Sequence, residues 1–118
     1  MIDTSHFCGT ENWYRYEMLP GYTYTDGVRF VARQAQAYWL LDVIFSWQLD
    51  SRARREEFQV WRLTQVGDGA RVTMTDGDSD QPVITQDIEA TDFPFDEFRD
   101  GAVEMWLEGK VLMLPSER

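Results

Sequence analysis

The segment Ala37-Tyr38-Trp39-Leu40-Leu41-Asp42-Val43-Ile44-Phe45-Ser46-Trp47 would be apolar nearly all the way round a helix. A helix with so little polar surface has to be covered on most sides, which places it in the middle of its domain. It is too short to cross a bilayer and it carries Asp42. Asp42 and Ser46 are four apart and share its one polar stripe. The remainder of the chain must therefore supply the cover. With 118 residues it is one domain by length, able to bury roughly two-thirds of the surface its unfolded form exposes.

The cover is readable in outline. Asn12 to Tyr24 predicts a tight hairpin, with Pro20-Gly21 supplying the fixed and the permissive φ of a type II turn. Thr25 is placed as a helix N-cap, with Asp26 in the first turn. Val28, Val31, Ala32 and Ala35 recur at helical spacing, with Arg29 and Arg33 on the other side. After residue 57 the pattern changes to strands. Phe58–Val66, Arg71–Thr75 and Val83–Ala90 are separated by turns at Gly67-Asp68-Gly69 and Asp76–Asp80. Phe93–Phe98 begins as a proline-led turn, and Val103–Leu107 with Val111–Leu114 forms a closing hairpin. The expected fold is α+β: a short N-terminal β-hairpin, two helices of which one is buried, then an antiparallel meander of four to five strands.

Charge is distributed very unevenly. Residues 76–108 hold eleven acids and one base, Arg99, which equals the whole-chain net charge of −10. Five Trp, seven Phe and five Tyr argue against acidic disorder. A one-signed field repels nucleic acid and anionic membranes and attracts basic surfaces. Asp76, Asp78, Asp80, Asp87, Glu89, Asp92, Asp96 and Glu97 are therefore the candidate partner-binding residues, expected to gather on one face or edge.

No catalytic motif is present. Asp76-Gly77-Asp78-Ser79-Asp80 starts like a calcium loop, but Gln81, Pro82 and Asp87 occupy the positions where that loop needs Gly, a free backbone and a bidentate Glu. His6 and Cys8 are too few for zinc; an exposed His and a buried Cys are the ordinary reading. No metal or cofactor is expected. Asp42 with Tyr22 and Tyr24 forms the alternative candidate, a pocket for a small ligand or an enzyme site. Arg29, Arg33 or a tyrosine hydroxyl would satisfy Asp42 if it is structural. The lone cysteine and the absence of a signal-like start point to the cytoplasm.

The blocks Phe7–Arg15, Tyr24–Val28, Ala37–Asp42, Phe58–Trp61, Thr91–Pro94 and Leu112–Glu117 together give the chain a further affinity. Over nearly its whole length it resembles a family of small proteins of unknown function found in bacteria, plasmids and phages. That resemblance implies a setting on mobile elements and no assigned catalytic residues. Combined with the acidic stretch, it gives the expectation of a non-enzymatic protein–protein interaction module. Such a module would dock on the basic surface of a nucleic-acid-binding partner, as DNA-mimic inhibitors of the anti-CRISPR or antirestriction type do.

Overall fold

The first hairpin closes as its turn residues require. In the computed structural model, which describes residues 2–9 and 11–118, Gly21 has φ +89° and the Tyr22 N–H donates to the Leu19 carbonyl at 3.3 Å. The turn joins β1 (Trp13–Arg15) to β2 (Thr23–Thr25), and Thr25 then caps α1 (Asp26–Gln34) by accepting from the Val28 N–H. The all-apolar segment is α2 (Tyr38–Ser46). A 3-10 turn over Trp47–Leu49 and the short α3 (Ser51–Arg54) lead to the strands. These are β3 (Phe58–Val66), β4 (Gly69–Thr75), β5 (Ile84–Ile88), β6 (Ala102–Glu108) and β7 (Val111–Met113).

The architecture is α+β, with all strands in one seven-stranded sheet of order β1-β2-β7-β6-β3-β4-β5. The strands of the second half pair antiparallel, but they do not follow one another as a simple meander. β6 pairs with β3 on the side away from β4, and β7 takes β2 as a parallel neighbour. The N-terminal hairpin therefore extends the same sheet. The reason lies in the connection after β5. Phe93, Phe95 and Phe98 in it are all buried, so the chain crosses below the sheet's end to bury them before β6 begins.

One face of the sheet carries the core. Trp61, Leu63, Val72, Met74, Val103, Met105 and Leu107 point inward and cluster with Leu40 and Ile44 of α2. Leu40, Leu41, Ile44 and Phe45 are essentially inaccessible, whereas Tyr38, Asp42 and Ser46 form the exposed stripe. A buried amide clasp fastens the helices to β3. Gln59 Nε2 donates to Gln48 Oε1 at 2.9 Å and to the Ala53 carbonyl at 2.7 Å, while Gln59 Oε1 accepts from Trp61 Nε1 at 2.8 Å. Two buried glutamines are tolerable because no buried side-chain polar atom among the described residues lacks a partner.

Candidate interaction surface

The connection between β5 and β6, residues 89–101, is an acidic strap. Its phenylalanines point in and its charges point out. Phe93 stacks on Phe98 at 5.3 Å and meets Phe95 at 4.8 Å and Trp39 at 6.3 Å. Asp92, Asp96, Arg99 and Asp100 are exposed, as is Glu89 where the strap leaves β5, and Glu97 is half-buried. Backbone bonds pin the strap at both sides. The Thr91 N–H donates to the Asp68 carbonyl at 3.0 Å, and the Ile2 N–H to the Glu97 carbonyl at 2.7 Å. These bonds bring Asp68 and the N-terminal Asp3 to the same end of the sheet. Ser5 hydrogen bonds hold the Asp3 carboxyl below the usual carboxylate range, helped by the nearby positive charge of Arg99.

Composition alone could not have added Asp3 and Asp68 to this pole, since both come from outside the acidic stretch. Strand alternation could have separated Asp87, Glu104 and Glu108 from it. These three stand on the sheet's outer face, and each is paired with an arginine: Arg71–Asp87 at 2.7 Å, Arg62–Glu104 at 3.2 Å and Arg118–Glu108 at 3.1 Å. The first two pairs sit directly opposite across neighbouring strands. The Arg71 hydrogen bond holds Asp87 below its ordinary pKa.

Asp76, Asp78 and Asp80 lie in the β4–β5 loop, at the opposite end of the sheet from the strap. β4 alone separates the two ends by about 20 Å at ~3.3 Å per residue, well beyond the roughly 8 Å range of exposed charges at physiological salt. The expected single acidic array is thus replaced by two poles with a neutralised face between them. The cause is topological: β5 runs antiparallel to β4 from one end to the other, and its two flanking connections, the β4–β5 loop and the strap, exit at opposite ends.

Of the alternative candidate residues, Asp42 and Tyr22 meet the Tyr16–Phe45 pair, and Tyr24 packs elsewhere. Asp42 is exposed, and its partner is Tyr16, whose hydroxyl donates to it at 2.7 Å. Tyr16 stacks on Phe45 at 4.2 Å, and Tyr22 meets the same ring edge-on at 5.8 Å. Tyr24 instead packs beside Tyr14 at 5.7 Å. Burial, with the Asp42 hydrogen bond second, pushes the Tyr16 hydroxyl up to about 12. Tyr16 thus supplies the tyrosine hydroxyl that the sequence offers as one of the partners for Asp42.

Asp76 Oδ1 turns into its own loop, accepting from the Asp78 N–H at 2.9 Å and the Ser79 N–H at 3.0 Å. Among the described residues no three His, Cys, Asp or Glu side chains converge as metal ligands. His6 packs on Phe7 and Phe30. Cys8 is exposed rather than buried, because the N-terminal segment carrying it lies on the surface. None of the described helices is long and apolar enough to cross a membrane.

What the fold and surface define is a sheet covered by helices on one face, with acidic connections at its two ends. The chain belongs to a family of unknown function, DUF6876, whose model matches residues 3–118. Neither the curated proteins nor the solved structures contain a match.

Proposed function

We propose that the protein is a non-enzymatic interaction module of the cytoplasm whose acidic strap docks on a basic surface of a nucleic-acid-binding protein. The observation that carries this reading is the strap itself. Glu89, Asp92, Asp96, Glu97 and Asp100 oppose one base, Arg99, on a segment anchored by three buried phenylalanines. An ordered frame spares the partner the entropic cost of arranging the charges, so the field acts on encounter and orientation. Nucleic acid and anionic membranes are repelled by the same field.

A surface that normally holds phosphates is the basic surface most complementary to such a pole. The mobile-element setting implied by the family resemblance makes a DNA-mimic inhibitor, of the anti-CRISPR or antirestriction type, the concrete form of the proposal. The compact pole engages a local basic patch rather than the length of a duplex-binding groove.

The test begins with proteins captured from a host lysate at low salt and released at high salt. For the captured partner, association is measured with Asp92→Asn/Asp96→Asn/Asp100→Asn and with Asp76→Asn/Asp78→Asn/Asp80→Asn. The strap variant should associate about tenfold more slowly at low salt, and the difference should shrink as salt rises. The partner's nucleic-acid binding should be blocked by the unaltered protein. Unchanged rates in the strap variant, with its fold intact, would reject the docking surface.

A further inference from the structure

No helix among the described residues covers the outer face of the sheet, yet it is not a flat surface. Phe58 and Val60 of β3, Thr73 and Thr75 of β4 and Trp106 of β6 floor a cleft of about 850 Å³. One wall is the β4–β5 loop, which curls back over the strands. Gly77, at φ +90°, comes so close to the Phe58 ring that an added Cβ would lie 2.8 Å from it. The other wall is Arg118. Its guanidinium lies 4.9 Å from the Phe58 centroid and 5.6 Å from that of Trp106, and it forks onto Glu108 with two bonds of 3.1 Å.

We propose that this cleft is a docking site for an arginine side chain of a basic partner protein, with Arg118 occupying its aromatic corner in the free chain. The chemistry already seated there identifies the occupant. Two aromatic faces and a bidentate carboxylate match a planar, weakly hydrated guanidinium better than a compact ammonium. Beyond Arg118 the cleft continues along Val60, Thr73 and Thr75 to the loop carrying Asp76, Asp78 and Asp80. No lysine or arginine among the described residues forms an ion pair with any of these three. Arg62 and Glu104 also line the cleft and pair with each other at 3.2 Å, so the three loop aspartates leave it net negative beside Phe58, Val60 and Trp106, which disfavours phosphates and favours a cation with a long apolar stem. The proposal shares the basic partner with the strap reading but uses the opposite end of the sheet, so either can fail alone.

The probe is an acetylated, amidated peptide of alternating glycine and arginine, compared with its lysine counterpart. Binding is followed through the Trp106 indole N–H resonance, with calorimetry in parallel. The arginine peptide should shift that resonance saturably and bind more tightly than the lysine peptide. Asp78→Asn/Asp80→Asn should weaken it about fivefold, as two modest charge contacts would. Asp76 is spared because it holds its own loop. Arg118→Ala should strengthen binding by vacating the corner, whereas Arg15→Ala, a charge-matched change elsewhere, should not. An indole resonance that stays put at saturation, or equal affinity for the two peptides, overturns the inference. Loss of binding on Asp92→Asn/Asp96→Asn with none on Asp78→Asn/Asp80→Asn also overturns it, and leaves the strap reading standing.

Discussion

The Glu117 carboxylate accepts a hydrogen bond from the Thr25 hydroxyl at 2.6 Å across 92 positions of sequence. Both residues are buried, and the same carboxylate accepts from the Gly27 N–H at 3.0 Å and the Leu114 N–H at 2.9 Å. It therefore sits at the N-terminal turn of α1, where free N–H groups and the helix dipole favour an anion. Replacing Glu117 with Gln turns one acceptor oxygen into a donor facing other donors. Glu117→Gln should lower stability by about 1–3 kcal/mol, the cost of leaving buried groups unsatisfied. Urea unfolding measures it.

Gly27 allows this approach by having no side chain. A Cβ there would stand 2.5 Å from Glu117 Oε1 and 2.6 Å from Leu114 Cδ1. Alanine is the better helix former by about 1 kcal/mol, but overpacking costs about 1–3 kcal/mol. Gly27→Ala should come out destabilising despite its propensity. A stabilised variant would mean that the Glu117 clasp yields easily.

Leu40→Ala and Ile44→Ala should each cost about 2–5 kcal/mol, the range for emptying a packed core site. Both residues face the inner side of the sheet and are only 2% and 1% exposed. A loss below about 1 kcal/mol, typical of surface changes, would contradict their place at the centre.

Gln59→Ala should cost about 2–5 kcal/mol, because it strands the Trp61 indole N–H, Gln48 and two backbone carbonyls in the interior. Hydrogen exchange should locate the damage. Protection should fall first across residues 47–57, which lose their tie to β3.

The Tyr16–Asp42 pair sets an alkaline limit. The Tyr16 hydroxyl, pushed up to about 12 by burial and then by Asp42, must stay protonated to donate. The stability it contributes is complete below its unfolded value of about 10 and disappears as pH rises through about 12. Ultraviolet titration should find a tyrosine ionising near that value, lost in Tyr16→Phe. In Asp42→Asn it should move down without reaching the ordinary range, since burial is the larger cause.

The hairpin turn at Pro20-Gly21, the Thr25 cap, the core face of α2 and the alternation of β4 were all legible, because each depends on residues a few positions apart. Pairing was not. Strand patterning specifies which side chains face inward but leaves the neighbour open, so the β2–β7 contact and the passage of β5 to β6 could not be read. The same boundary divides the site. The outward acids of the strap were legible, while Asp3 and Asp68 join them only through tertiary bonds. Asp42 reads as a carboxylate in an apolar run, yet its stripe is the one side of α2 left uncovered. Glu117 resembles any surface acid until the fold encloses it.

The parallel pairing of β2 with β7 has a temporal side. Thr23 finds its partner only when Val111 has been made, about ninety residues later. During vectorial synthesis the first hairpin emerges without the neighbour that completes its sheet, and its other edge is equally open. Long-range closure of this kind slows folding. The nascent hairpin, with Trp13 exposed on its outer strand, thus waits with both edges open, an opening that a chaperone could use.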